Sequence, residues 1–295
     1  MQLSIQSLSK VYPNGVHALR DISLTIPKGM FGLLGPNGAG KSSLMRTIAT
    51  LQEADSGSIF LDDLDVLKEK EAVRKILGYL PQEFGVYPKI SAEQMLDHIA
   101  QLKGLQNRSQ RKEVVLALLN RVNLFAERKR NLGTFSGGMK QRFGIAQALM
   151  GNPSLIIVDE PTAGLDPTER NRFYNLLSEL GENTIVILST HIVEDVRTLC
   201  SDFAIICKGE LLLTGKPDEA VKTIDGNIYS KTIQKADIVE YRNKYQVISE
   251  QMKGGQLSLR IFSEDSPGDD FVQVAPILED VYFYHISSVT DVTTL

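Results

Sequence analysis

An eight-residue stretch that fits the pattern G-x-x-x-x-G-K-[ST] constrains this chain more than any other feature of its sequence. It follows an apolar, strand-like run at residues 30–34 and precedes a helical pattern that starts near Lys41. Glycines in such a turn let backbone N–H groups curl around a phosphate, and the helix points the positive end of its dipole at the same anion. This context predicts a nucleoside triphosphate site, with Lys41 on the β and γ phosphates and Ser42 on Mg²⁺. The residues assigned to the loop are Gly35, Pro36, Asn37, Gly38, Ala39, Gly40, Lys41, Ser42 and Ser43.

Short, continuous apolar runs alternate with helical patterns through most of the chain, and two β-rich runs at residues 3–12 and 17–26 come first. Continuous apolar runs are typical of strands that are buried on both faces of a parallel sheet. The sequence therefore predicts an α/β fold with a mostly parallel sheet. Its expected strands lie near residues 30–34, 76–80, 155–158, 185–188 and 203–207.

Two helices carry explicit start and stop signals. One is expected to begin after Ser91 and to end at Gly104, and the other to begin at Asp166 and to end at Gly181. Ser and Asp are preferred helix N-caps, and Gly is the preferred residue just after a helix.

The composition changes near residue 225. Residues 225–295 carry 6 basic and 11 acidic residues and five of the nine tyrosines of the chain. Residues 257–261 alternate between apolar and polar side chains, as a strand does, and Gly254-Gly255 predicts a hairpin turn before them. We therefore expect an α/β domain over residues 1–224 and a small α+β module over residues 225–295.

Several classes of protein are excluded by simple counts. The longest apolar run has six residues, 114–119, whereas a membrane-spanning helix needs about 18 or more. The chain starts without the basic and apolar stretches of a signal peptide. Its formal charge of −4 argues against nucleic acid as a partner, and two cysteines are too few for a disulfide scaffold. A globular intracellular protein is expected.

A second group of polar residues follows two of the expected strands. Asp159 and Glu160 come directly after a buried strand, and His191 follows the next one. Carboxyl ends of parallel strands are where α/β proteins bind nucleotides. We expect Asp159 to hold Mg²⁺ and Glu160 to orient or deprotonate the attacking water, with His191 close to the γ-phosphate.

A second anion-binding pattern stands 23 residues before Asp159, where Ser136, Gly137 and Gly138 open a helix. One nucleotide rarely needs two phosphate-binding helix starts, so this second site would serve a nucleotide that another chain holds. Taken together, the ordered motifs over residues 1–222 resemble the ATP-binding-cassette (ABC) family. Phe135 and Met139 depart from the usual signature residues of that family, while the three residues that would contact phosphate are intact.

This resemblance assigns further residues. Tyr12 resembles the aromatic residue that stacks on adenine, although core packing is an open alternative for it. Gln82, which lies 41 residues after Lys41, resembles the glutamine that touches Mg²⁺ or water, and residues 163–166 are similar to the D-loop, which includes Asp166. The implied fold is a P-loop NTPase core with an antiparallel N-terminal β subdomain and a helical subdomain at about residues 83–150.

The resemblance also implies a function. It predicts an ATP hydrolase that uses ATP and Mg²⁺, pairs with a second copy or a related cassette subunit, and lies at the cytoplasmic side of the cell membrane. The amino-acid sequences of the signature motif, residues 136–142, and of residues 278–282 resemble those of an exporter-type branch of the family. Members of that branch work with a separate six-helix permease. A cytosolic cassette ATPase that remodels a complex is an alternative, and a protein that binds ATP without turnover is another. The basic group Arg108, Arg111 and Lys112 is predicted to be a solvated face.

Overall fold

A six-stranded sheet forms the centre of the molecule in a computed structural model, which describes residues 1–82, 84–162, 165–268 and 270–289. Five neighbouring strands are parallel, and the sixth, at one edge, is antiparallel. In spatial order they are β10 (Glu210–Gly215), β9 (Asp202–Cys207), β3 (Gly29–Leu34), β8 (Ile185–Thr190), β7 (Leu155–Asp159) and β6 (Leu77–Leu80). The predicted α/β class with a mostly parallel sheet is confirmed.

The two faces of this sheet pack against different layers. Ile156 and Val158 join one apolar cluster, while Leu155 and Ile157, which alternate with them, join the other. This alternation explains why the strand sequences are apolar throughout. Four of the helices follow strands or loops that carry predicted site residues. They are α1 (Lys41–Ile48), α5 (Gly137–Ala148), α6 (Pro167–Gly181) and α7 (Val193–Leu199).

A four-stranded antiparallel sheet covers the face of the central sheet that carries α1. Its strands, in spatial order, are β2 (His17–Pro27), β1 (Gln2–Val11), β4 (Ser56–Leu61) and β5 (Leu64–Asp65). The helix α2 (Lys70–Ile76) follows. Ile76, predicted to start a strand, is instead the last residue of that helix, and the strand begins one residue later.

Helices α3 (Ala92–Leu102) and α4 (Arg108–Arg121) precede α5, with a short 3₁₀ turn at Leu132–Thr134. The capping box at Ser91 is formed, and Gly104 has a left-handed φ of +90° just after α3, so both predicted ends are confirmed.

The prediction of a solvated basic face is wrong for Arg111, because this side chain is buried. Its guanidinium contacts Asp97 and the carbonyl groups of residues 105 and 106, which satisfy most of its donors.

The C-terminal part contains a third, antiparallel sheet. Its elements are α8 (Pro217–Lys222), β11 (Ile228–Ile233), α9 (Ile238–Lys244), β12 (Gln246–Lys253), β13 (Gln256–Phe262), β14 (Val272–Gln273) and α10 (Leu278–Ser287), with a 3₁₀ turn at Lys235–Asp237. Gly254 and Gly255 have φ values of +58° and +85°, which confirms the hairpin turn. Helix α10 packs back on the part of the chain that forms the six-stranded sheet and its helices, where Val281 and Ile286 share an apolar cluster with Val196 of α7.

In the described ranges we find no helix with the length and apolar character that a bilayer crossing requires.

Both cysteines are buried and free, and we predict that both thiols are unreactive in the folded chain. Burial raises the pKa of the Cys200 thiol, and burial likewise raises the pKa of the Cys207 thiol. Because the thiolate is the reactive form, neither thiol should react with a disulfide reagent in the native state, whereas both should react at once in denaturant. Absorbance of the released thiolate measures this, and fast labelling of either thiol in the native chain would contradict its burial.

Candidate active site

A cavity of about 580 Å³ lies at the carboxyl end of the parallel strands, around the start of α1. It brings together most of the loop residues with Tyr12, Gln82, Asp159 and Glu160. Carboxyl ends of strands at this kind of position are where open α/β sheets bind ligands. The lining residues are Tyr12, Gly15, Val16, His17, Ala18, Arg20, Pro36, Asn37, Gly38, Ala39, Gly40, Lys41, Ser42, Ser43, Gln82, Asp159, Glu160 and Lys208.

The phosphate loop is a tight turn that only glycine can make at two positions. A Cβ on Gly40 would lie 2.4 Å from the carbonyl oxygen of Ala18, and one on Gly35 would lie 2.3 Å from that of Ile206. Gly40 also has a left-handed φ of +109° and is the N-cap of α1. Among the described side chains, none caps α1, so its first N–H groups face the cavity side with no competing acceptor. This is the arrangement of an anion site.

Lys41 is buried beside two acidic residues. Its Nζ donates to the carbonyl oxygens of Gly35 at 2.5 Å and Pro36 at 3.2 Å, and lies 3.7 Å from Glu160 Oε1. Burial lowers the pKa of Lys41, while the carboxylates of Glu160 and Asp159 oppose that shift. A cation held at the loop in this way is suited to meet phosphate oxygens.

Asp159 and Ser42 form the part of the site that fits a divalent cation. The Ser42 hydroxyl lies 3.4 Å from Asp159 Oδ2, and Asp159 Oδ1 is buried without a hydrogen-bond partner in the described structure. A buried carboxylate oxygen left in this state is costly unless a cation or water meets it. Within the described ranges, no group of three or more His, Cys, Asp or Glu side chains could hold a metal by itself. The oxygen donors that are present, the Ser42 hydroxyl and the Asp159 carboxylate, are of the kind that suits Mg²⁺, which keeps phosphate and water ligands.

Glu160 and His191 are in direct contact. His191 Nδ1 lies 2.8 Å from Glu160 Oε2, and the Glu160 N–H donates to the carbonyl oxygen of Ser189 at 2.9 Å. Glu160 is 6% exposed, whereas His191 is 49% exposed and lies outside the set of cavity-lining residues. The backbone of Glu160 has a φ of +49°, a left-handed conformation that is uncommon for a residue with a side chain and that concentrates at functional sites.

Tyr12 is half-buried at the wall of the cavity, and its hydroxyl is held from two sides. It lies 3.0 Å from Ser43 Oγ and donates to Gln52 Oε1 at 3.0 Å. The ring therefore has a fixed position next to the loop. The Ser43 hydroxyl is therefore engaged with Tyr12.

The signature residues are not among those that line the cavity. Ser136 is the N-cap of α5, where its Oγ accepts from the Met139 N–H at 3.2 Å, and Ser136 and Gly137 are exposed. Asp166 is likewise an N-cap, accepting from the Glu169 N–H at 2.9 Å. Ala163 and Gly164 of the predicted D-loop lie outside the described residues.

Three charged or titratable residues of the cavity were not predicted from the sequence. Lys208 and Arg20 line it, as does His17, to which the sequence assigned no role. Lys208 follows β9 directly, and β9 is parallel to β3, so the same edge rule that points to His191 also points to Lys208. Arg20 and His17 reach the cavity through the β1–β2 hairpin, for which the sequence offers no comparable signal.

Comparison with known proteins places this geometry in a family. Residues 19–163 match the model of the family described as ABC transporter. The ABC transporter ATP-binding protein NatA of Bacillus subtilis is 39% identical over 203 residues, which cover 68% of this chain and 82% of NatA. The probable multidrug ABC transporter ATP-binding protein YbhF of Escherichia coli is 32% identical over 91% of this chain, and the match spans only 47% of YbhF.

A solved structure has the same fold. The ATP-binding cassette MJ0796, in a dimeric post-hydrolysis state bound to ADP and Pi, matches 72% of this chain and 98% of its own length. The TM-score is 0.67 and the sequence identity is 25%. We conclude that this chain belongs to the ABC transporter family.

Proposed function

We propose that the chain binds ATP with Mg²⁺, hydrolyses it in a two-fold, head-to-tail dimer, and thereby powers a separate membrane permease. The observation that carries this proposal is the contact network in which the buried Glu160 carboxylate meets both the exposed His191 ring and the buried Lys41 ammonium. A carboxylate, an imidazole and an ammonium within one network, next to a phosphate loop, are the groups that activate water against a phosphoryl group.

Three residues would hold Mg²⁺ beside the nucleotide, namely Ser42, Asp159 and Gln82. The partnerless Asp159 Oδ1 and the neighbouring Ser42 hydroxyl support the first two, and Gln82 lines the same cavity. When bound, Mg²⁺ spreads the charge that develops on the transferred phosphoryl group.

The side chains around the γ-phosphate have separate roles in hydrolysis. Glu160 accepts a proton from the attacking water, and the His191 ring holds the Glu160 carboxylate through Nδ1. Lys41 binds the β and γ phosphates once it exchanges its carbonyl partners for phosphate oxygens. The N–H groups at the start of α1 bind the same phosphates.

The second half of the site would come from another chain. Ser136, Gly137 and Gly138 lie at an exposed helix start away from the cavity lining, where they are free to meet a phosphate held elsewhere. Asp166 would lie at the same junction. An isologous dimer of this kind brings two phosphate loops to two signature helices, and the dimeric form of MJ0796 supports this assembly.

Export through a separate permease is the finer part of the proposal. The relative YbhF, named as a probable multidrug ABC transporter ATP-binding protein, supports export. The chain would then bind peripherally at the cytoplasmic side of the cell membrane. Affinity purification of the tagged chain from membranes tests this: a co-purified protein with about six apolar spans of about 20 residues each is expected. Recovery in a cytosolic complex, with none on membranes, would favour the remodelling alternative instead.

We also propose the division of the chain into an ATP-binding domain at residues 1–224, with its helical subdomain at about 83–150, and an accessory module at residues 225–295. The change of composition near residue 225 and the separate antiparallel sheet that begins at Ile228 support this division.

Tyr12 provides a prediction on nucleotide affinity. Loss of base stacking in Tyr12→Ala should cost about 1–3 kcal/mol, or about 5- to 150-fold in the Kd for ATP. Tyr12→Phe keeps the ring and loses only the contacts with Ser43 and Gln52, so its Kd should stay within about threefold. Titration with a fluorescent ATP analogue measures both. Equal affinity of the alanine variant and the native chain would leave Tyr12 with a packing role.

A further inference from the structure

Asp195 is a fully buried carboxylate that the proposed mechanism does not use. It lies in the first turn of α7 with no exposed surface. Three hydroxyl groups surround it: Thr162 Oγ1 and Tyr174 OH each donate at 2.5 Å, and Thr190 Oγ1 donates at 3.4 Å. Among the residues that the structure describes, no Lys or Arg forms an ion pair with Asp195, so the hydrogen bonds from these hydroxyls offset its burial.

Two of the donors stand next to the proposed catalytic residues. Thr162 is two residues after Glu160, and Thr190 immediately precedes His191. Both threonines are fully buried. Through these bonds Asp195 holds the two segments from which Glu160 and His191 extend toward each other. Because a contact of 2.8 Å depends on the position of both segments, their common anchor sets the geometry of the pair.

The third donor joins a further segment to the same carboxylate. Tyr174 lies in the middle of α6, the helix that begins at Asp166, and its side chain is buried. Burial, together with the bond to Asp195, raises the pKa of Tyr174, so that its hydroxyl stays protonated and remains a donor. Helix α6 is therefore tied to the same point as the segments that carry Glu160 and His191.

We propose that Asp195 is a positioning residue for ATP hydrolysis, which fixes Glu160 and His191 relative to each other by collecting the hydroxyls of Thr162, Thr190 and Tyr174. This inference rests on the proposed function, since it needs Glu160 to act on water. Asp195 does not line the cavity, and it touches neither the phosphate loop nor the pair Ser42 and Asp159, which would hold the metal. Its loss should therefore impair turnover and spare ATP binding.

The test is Asp195→Asn, which keeps the volume and places an amide NH₂ where an oxygen accepted a hydroxyl. We expect kcat to fall about 10- to 100-fold, because displacement of catalytic groups by about 1 Å costs about that much. KM, and the Kd and stoichiometry for a fluorescent ATP analogue, should stay within about threefold. A merely structural role would instead lower the stoichiometry of binding and kcat in proportion.

Asp280→Asn is the matched control. Asp280 is 1% exposed and accepts from Arg260 and from the Ile277 N–H, so it is an equally buried carboxylate in the accessory module. Its variant should lose thermal stability, with kcat per ATP-binding chain within about twofold of the native value. A similar drop in kcat for both variants would assign the effect to a loss of buried carboxylates in general.

Tyr174→Phe and Thr162→Val carry the test if Asp195→Asn does not fold. Each removes one donor and keeps the side-chain shape, and each should lower kcat about 3- to 10-fold with unchanged ATP affinity. Native kcat in all three variants would overturn the positioning role. Absence of ATP hydrolysis by the native chain, in contrast, would overturn the proposed function itself, so the two failures are distinguishable.

Discussion

Glu160→Gln should lower kcat for ATP hydrolysis by about 10²- to 10⁴-fold, the contribution of a general base. The amide has the size of the carboxylate and can still contact His191 Nδ1, but it cannot take a proton from water. ATP affinity should be retained or slightly increased, because Glu160 Oε1 lies 3.7 Å from Lys41 and its charge competes with phosphate for that cation. Phosphate release under saturating ATP measures the first effect, and titration with a fluorescent ATP analogue measures the second.

A surface carboxylate serves as the control for this variant. Glu53 is 70% exposed and pairs with Lys70 at the surface, away from the residues that line the cavity, so Glu53→Gln should keep native kcat. If Glu160→Gln keeps more than about a tenth of native kcat, Glu160 is not the base. The proton would then have to leave with substrate phosphate or through His191, and the role assigned to the Glu160–His191 contact would be wrong.

Lys41→Met should abolish ATP binding in the working range. The ammonium is the buried cation of the phosphate loop, and truncating one partner of a buried charge pair costs about 2–5 kcal/mol, or about 30- to 5,000-fold in Kd. Methionine keeps the aliphatic part of the side chain, which lies among buried groups, so the folded state should persist. Removal of the cation also leaves Asp159 and Glu160 to repel phosphate, which adds to the loss.

The matched change for this variant is Lys28→Met. Lys28 is exposed and bonds Asn183 just before β3, at the opposite end of that strand from the phosphate loop. The Lys28→Met chain should bind the fluorescent ATP analogue with the Kd of the native chain. A Lys41→Met chain that binds ATP within about threefold of native would show that loop N–H groups alone supply the affinity.

Much of the fold follows from local patterns in the sequence. The apolar run before Asp159 is a central strand because its neighbours bury both faces, and the capping box at Ser91 forms as the pattern predicts. Local chemistry decides such elements, so sequence suffices for them. The exact start of β6 was missed by one residue, because α2 runs directly into it and helix and strand compete for Ile76.

What the sequence missed depends on contacts between distant segments. The sequence alone indicates a surface position for Arg111. Its burial depends on Asp97 and on the carbonyl groups of Leu105 and Gln106, which lie between α3 and α4. Lys208 enters the cavity only because β9 lies beside β3 in the sheet. Asp195 has no motif of its own, and its three hydroxyl partners come from separate elements of the chain. Long-range arrangement of this kind has no local signal.

The C-terminal module shows the same limit on a larger scale. Its strands and hairpin are predictable from alternation and from Gly254-Gly255. The packing of α10 against the preceding part of the chain is not predictable in this way, although it buries Val281 and Ile286 beside α7, the helix that follows His191. The composition change near residue 225 therefore does not mark the end of contacts with residues 1–224.

The most direct test of the two-chain site is the molar mass of Glu160→Gln, measured by light scattering after gel filtration with and without ATP. We predict a monomer without nucleotide and a dimer with ATP, because the variant binds ATP without consuming it. A second substitution, Gly138→Asp, would place a carboxylate at the start of α5 and against Glu169, whose carboxylate would lie 2.9 Å from the new Cβ, and should return the ATP-bound chain to a monomer. A Glu160→Gln chain that is saturated with ATP and stays monomeric, or that is dimeric whether or not ATP is present, would contradict the account.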